Sequence, residues 1–148
     1  MRIHINIGSN RGDRRANIAR AVALIVSAWP EATHTVSEPV VSAPWGYDSD
    51  AEFLNVGLML DGVADEDPEH VLHRLLHIEH AVGHGAPHRA PDGSYCDRPI
   101  DIDLIAIDRK RHNSPVLTLP HPRAAMRAFV MEPLRSLDEA TARWIAEQ

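Results

Sequence analysis

Arg98-Pro99-Ile100-Asp101-Ile102-Asp103-Leu104 alternates apolar and acidic side chains over its last five positions. A period of two marks a strand, and side chains two apart leave the same face of it. Pro99 to Ile107 is therefore predicted as a strand, with Ile100, Ile102 and Leu104 facing a core and Asp101 and Asp103 together on the opposite face. Two carboxylates so placed resist ionising together unless a cation sits between them. Mg²⁺ suits such a pair, because it takes a few carboxylates along with water and phosphate oxygens. A solvated polar sheet face fits the same spacing.

Upstream of this strand, residues 84 to 97 hold Gly and Pro without an apolar period and read as a long loop. Before the loop, Val71, Leu72, Leu75, Leu76, Ile78 and Val82 recur at helical spacing, with Pro68 in the first turn and Gly83 as the stop. Phe53 to Leu60 and Thr33 to Val41 read as two strands, separated by the Pro- and Asp-rich loop around residues 43 to 50. At the N-terminus, Ile3, Ile5 and Ile7 alternate with His4 and Asn6 as a half-buried strand. Gly8-Ser9-Asn10 breaks it, and Asp13 is placed to cap a helix carrying Ile18, Val22, Ile25 and Val26. Downstream, Leu117 to Phe129 reads as irregular chain with one short helical turn, and Glu139 to Gln148 as a final helix packing Trp144 and Ile145 inward. The order β-α-β-β-α-β predicts an α+β, ferredoxin-like antiparallel sheet with both helices on one face, plus a small C-terminal helical tail. Residues 1–148 are expected to form one domain.

Composition narrows the function classes. A net charge of −6 gives no global attraction for nucleic acid or an anionic membrane, so neither is an expected partner. The single cysteine, Cys96, rules out an intrachain disulfide and reads as an incidental loop thiol. No run of 18 apolar residues occurs, and a cytoplasmic, monomeric protein is expected. An anionic ligand would need a local basic cluster, and Arg89, Arg98, Arg127 and His121 lie near the aspartate pair in sequence. Arginine forks match phosphate oxygens, and phosphoryl transfer depends mainly on positioning and charge neutralisation. His121 sits between Pro120 and Pro122, which fix its backbone; a structural histidine in a rigid turn fits equally.

Six segments occur in order: Ile7-Gly8-Ser9-Asn10, Ala43-Pro44-Trp45-Gly46, Phe53-Leu54-Asn55-Val56, the Arg98–Leu104 stretch, Leu119-Pro120-His121-Pro122, and Met126-Arg127-Ala128-Phe129-Val130-Met131-Glu132-Pro133-Leu134. Together they resemble the 6-hydroxymethyl-7,8-dihydropterin pyrophosphokinase family of folate biosynthesis, from residue 1 to about residue 137. The resemblance implies pyrophosphate transfer from ATP to the pterin hydroxymethyl group, with two Mg²⁺ ions on Asp101 and Asp103. It implies that Arg98, His121 and Arg127 hold the triphosphate, with Glu79, Arg89, Leu104 and Thr118 also around the nucleotide. Ser42, Ala43, Pro44, Trp45, Gly46, Phe53, Asn55, Asp101 and Phe129 match the pterin side, where Asn55 hydrogen-bonds the pterin edge and Phe129 stacks on the ring. Read without the resemblance, Phe129 is equally a core residue, whereas a mid-strand Asn55 needs a hydrogen-bond partner.

The chain also departs from the family's pattern. Where the family has Gly-Arg-x-Arg after the second helix, this sequence reads Gly83-His84-Gly85-Ala86, and Arg89 is the nearest arginine able to take over. Tyr95 is placed to serve as the loop's aromatic, Trp45 stands in place of a smaller aliphatic residue, and Pro122 replaces a side chain that contacts nucleotide. These departures leave two further readings open: a relative acting on a modified pterin, or a binding module that no longer transfers.

Overall fold

The computed structural model describes residues 1–44, 47, 49–86 and 89–148. The elements are β1 (Ile3–Ser9), α1 (Arg14–Ala28), β2 (Thr33–Val36), β3 (Val40–Ser42), β4 (Phe53–Asp61), α2 (Pro68–Val82), β5 (Asp101–Ile107), β6 (His112–Asn113), β7 (Thr118–Leu119), a 3₁₀ turn (Ala124–Met126), α3 (Ala128–Leu137) and α4 (Glu139–Ala146). The main sheet runs β2-β4-β1-β5 and is antiparallel throughout, with β3 also paired to β4; β6 and β7 form a separate hairpin. The expected α+β class with an antiparallel sheet is what the chain adopts. Asp13 caps α1 by accepting from Ala16 N, and Asp67 caps α2 ahead of Pro68. Gly83 ends α2 in ordinary helical geometry, and the turn into positive φ falls on His84 and Gly85.

One face of the sheet packs Ile3, Ile5 and Ile7 against Ile18, Ala21 and Ile25 of α1 and Val71, Leu75 and Val82 of α2. The other face carries Val130, Met131 and Leu134 of α3 and Ala142 and Ile145 of α4. This second layer corrects the half-buried reading of β1, since all seven of its residues are buried. His4 and Asn6, expected on an open face, lie beneath the C-terminal helices. His4 Nε2 meets Asp138 Oδ2 at 2.9 Å, and Asn6 Nδ2 donates to the Phe129 carbonyl at 3.0 Å.

Helix α3 stands mostly where no element was expected, between Phe129 and Glu139, and it holds Pro133 inside it. A proline there cannot donate to the carbonyl four residues earlier, which is that of Phe129. Asn6 takes that carbonyl instead, and the helix survives. Thr33–Val41, expected as one strand, is two. Pro39 has no N–H to give a ladder, and β2 stops before Ser37, whose N–H donates to the Gly57 carbonyl and whose Oγ accepts from Gly57 N. The β1–β5 pairing shifts register between His4 and Ile5. As a result Ile105 and Ala106 both join the second layer, while Leu104 and Ile107 face the first. The Ile105 carbonyl then accepts from His121 N at 2.8 Å, which fastens the His121 turn to the sheet.

Candidate active site

A cleft of about 580 Å³ opens beside β5, between the start of α3 and the chain around β3, β7 and residues 89–98. Ser42, Ala43, Phe53, Asn55, Glu79, Arg89, Arg98, Asp101, Asp103, Leu104, Thr118, His121, Arg127 and Phe129 all line it. Pro44 directly follows this lining pair, Ser42 and Ala43, in the chain. Trp45 and Gly46 lie outside the described residues. Leu104 reaches the cleft from the strand while its side chain stays in the core, 3% exposed.

Alternation along β5 puts Asp101 and Asp103 on the same side, opposite Gly8 and Asn6 of β1. Each aspartate faces an arginine: Arg98 Nη2 lies 2.8 Å from Asp101 Oδ2, and Arg127 Nη1 lies 3.9 Å from Asp103 Oδ2. Enclosure pushes the Asp103 carboxyl above its usual range, against the pull of Arg127 and Arg98. Among the described residues no three His, Cys, Asp or Glu side chains converge as a complete metal cage. Two hard oxygen donors without a third suit a cation that completes its shell with water and ligand phosphate, as Mg²⁺ does.

Glu79 is 4% exposed, and its Oε2 accepts from Ile102 N at 2.6 Å. Strand β5 is at the sheet edge, so this bond occupies an edge N–H midway between the two aspartates and fixes their backbone. Burial pushes the Glu79 carboxyl up to about 8, with Asp101 and Asp103 adding to the rise and the Ile102 N–H and Arg98 opposing it. His121 Nδ1 accepts from Arg123 N at 3.2 Å, so the neutral ring carries its proton on Nε2. Burial, then Arg127, pushes this imidazole down to about 4, which leaves a neutral N–H donor at the cleft wall.

Toward β4, Asn55 is 2% exposed and donates from Nδ2 to the Val40 carbonyl at 3.1 Å and to Ser42 Oγ at 2.9 Å. Its donor half is therefore met within the protein, and a ligand partner is not needed to justify burying it. What it can offer a heterocycle is Oδ1. The Phe129 ring lies 5.7 Å from the Arg127 guanidinium carbon, placing an aromatic face beside the cation that faces Asp103. In the 84–97 loop the Arg89 guanidinium stacks on Tyr95, 3.9 Å from the ring centroid, and Arg123 Nη1 donates to the Tyr95 hydroxyl at 2.7 Å.

Asn6, Tyr47, Arg123 and residues 114–117 line the cleft without having been foreseen from the sequence. Arg123 carried a signal: it stands two residues after His121, in a segment already suspected of holding phosphate. Asn6 carried only its polarity within a strand.

Arginines closing on a carboxylate pair, with an aromatic face beside them, define a class of enzymes that grip a polyphosphate next to a planar heterocycle. The model of the 7,8-dihydro-6-hydroxymethylpterin-pyrophosphokinase family matches residues 4–139, and the chain belongs to that family. It is similar to proteins named 2-amino-4-hydroxy-6-hydroxymethyldihydropteridine pyrophosphokinase from three bacteria. That of Porphyromonas gingivalis is 33% identical over 133 residues, covering 89% of this chain and 87% of the relative. That of Bacillus subtilis is 30% identical over 134 residues, covering 90% and 76%. That of Mycobacterium bovis is 33% identical over 150 residues, covering 93% and 72%.

Proposed function

We propose that this chain transfers the pyrophosphoryl group of ATP to the hydroxymethyl oxygen of 6-hydroxymethyl-7,8-dihydropterin, a step of folate biosynthesis. The observation that carries the reading is that one cleft joins Asp101 and Asp103, each facing an arginine, to the Asn55–Phe129 side where a pterin would lie. The pterin oxygen attacks the β-phosphorus. The new bond joins oxygen to β-phosphorus, the bond from β-phosphorus to the α,β-bridging oxygen breaks, and AMP departs with that oxygen while the alcohol proton passes to water.

Each residue has a part in this. Arg98 and Arg127 neutralise phosphate oxygens, and His121 donates from Nε2 without adding a charge of its own. Phe129 stacks on the pterin, and Asn55 and Ser42 present hydrogen-bonding groups to its edge. Glu79 holds Ile102, and with it the spacing of the aspartates. Asp101 and Asp103 would hold two Mg²⁺ ions. When bound, these supply positive charge at the phosphates and lower the pKa of the attacking alcohol.

The sheet order, with α1 and α2 on one face, supports the ferredoxin-like reading, α3 and α4 being a second layer added to it. We read residues 1–148 as a single pyrophosphokinase domain acting as a cytoplasmic monomer. No described helix is long and apolar enough to cross a membrane. One observation favours a second reading, a relative with an altered phosphate grip. Where the family pattern has two loop arginines the chain has His84 and Ala86, while Arg89 and Arg123 reach the cleft from elsewhere.

Incubation with ATP, Mg²⁺ and hydroxymethyldihydropterin tests the proposal. AMP is expected only when the pterin is present. AMP independent of pterin, or none at all, would refute it.

A further inference from the structure

Asp97 belongs to none of the roles above, yet three donors converge on it. Its Oδ1 accepts from the Tyr47 hydroxyl at 2.9 Å and from Asn10 Nδ2 at 2.8 Å, and its Oδ2 accepts from Ser49 Oγ at 3.0 Å. Asn10 is 4% exposed and ties the node together. Its Nδ2 also reaches the Tyr47 hydroxyl and the Ala51 carbonyl, each at 3.0 Å, so its two hydrogens are shared among three acceptors. Its Oδ1 accepts from Arg98 N at 2.8 Å, and its own N–H donates to the Arg98 carbonyl at 3.1 Å. The backbone of Arg98 is thus gripped on both sides, and Pro99 follows with a fixed φ.

Three segments distant in sequence meet here: the turn after β1, the segment carrying Tyr47, Ser49 and Ala51, and the end of the 84–97 loop. Tyr47 itself lines the cleft. A carboxylate held by several donors makes charge-assisted bonds, which are stronger than neutral ones. The groups respond accordingly. Burial and the bond to Asp97 push the Tyr47 phenol up to about 12, and the three donors hold the Asp97 carboxyl below its usual range against burial.

We propose that Asp97 is a positioning residue, a clasp that fastens the cleft-lining Tyr47, together with Ser49 and Ala51, to the Asn10 node and so fixes these residues relative to Arg98 and Asp101. The consequence for pterin binding rests on the function proposed above; the clasp itself does not.

Hydrogen exchange and steady-state kinetics on the full chain test it together. In Asp97→Ala, amides from Ser49 to Phe53 should exchange about tenfold faster or more, while those of β1 and α1 stay as in the wild type. The KM for pterin should rise about tenfold, with the KM for ATP changing less than about threefold. Asp97→Asn keeps an acceptor and should recover part of the pterin KM. Tyr47→Phe combined with Asp97→Ala should be no worse than Asp97→Ala alone, because both remove one node. Unchanged exchange at Ser49–Phe53, or additive effects in the double variant, would overturn the proposal. Exchange needs no substrate, so a wild-type chain that formed no AMP would count against the function while the clasp was still decided.

Discussion

His121 and Glu79 show how single residues set the site's response to pH. A half-buried imidazole pushed down to about 4 from an ordinary 6.5 stays neutral at physiological pH. An NMR titration of the ligand-free chain should find it uncharged well below pH 6. Adding ATP should move its titration upward, since nearby phosphate favours the imidazolium. A His121 that titrates at its ordinary value without ligand would contradict the burial argument. Glu79 has the opposite sign. Its carboxyl is pushed from an ordinary 4.5 up to about 8, so the folded chain binds a proton there that the unfolded chain has released. Stability contributed by this group is therefore present below pH 4.5 and is lost as pH rises through about 8. Glu79→Gln keeps an acceptor for Ile102 N, and should flatten the decline in ligand-free stability between neutral and mildly alkaline pH. Denaturant melts of the two proteins across that range measure it, and parallel declines would remove Glu79 as the cause.

At the scale of elements, Gly8 and Asn6 of β1 control what β4 and α3 bring to the cleft. A Cβ on Gly8 would lie 2.9 Å from Asn55 Oδ1 and 3.3 Å from the Phe53 ring. Gly8→Ala should therefore weaken pterin binding about tenfold or more while ATP binding changes little, as calorimetry with each ligand would show. Equal losses for both ligands would place the steric conflict elsewhere. Asn6→Ala leaves the Phe129 carbonyl freed by Pro133 without its donor, and should cost about 1–3 kcal/mol in denaturant melts. The contrast between β5 and α3 explains what could be read from sequence. Alternation along residues 100–104 needs no knowledge of neighbours, so the common face of Asp101 and Asp103 was legible. The stability of α3 depends on Asn6, more than a hundred residues away, so local rules gave no element between Phe129 and Glu139, where a helix stands. The division of Thr33–Val41 and the shifted register at Ile105 likewise depend on which strand lies alongside. The role of Asn55 was only half legible, because its partners Val40 and Ser42 belong to the strand that the sequence ran together with β2.

Across the whole molecule, a chain of net charge −6 gathers Arg89, Arg98, Arg123 and Arg127 at one cleft. The sheet carries a helical layer on each face, so β5 presents its two aspartates where the second layer begins at Arg127 and Phe129. Described residues from five of the six ordered segments, Ala43, Asn55, Asp101, His121 and Phe129 among them, line one cleft, and no single segment encodes that meeting. The most direct test of the central claim is single-turnover AMP formation from ATP, Mg²⁺ and hydroxymethyldihydropterin, comparing the wild type with Asp103→Asn, whose fold is checked by circular dichroism. The account predicts a fall of about a thousandfold or more with an unchanged spectrum. An Asp103→Asn protein that kept most of the wild-type rate would contradict it.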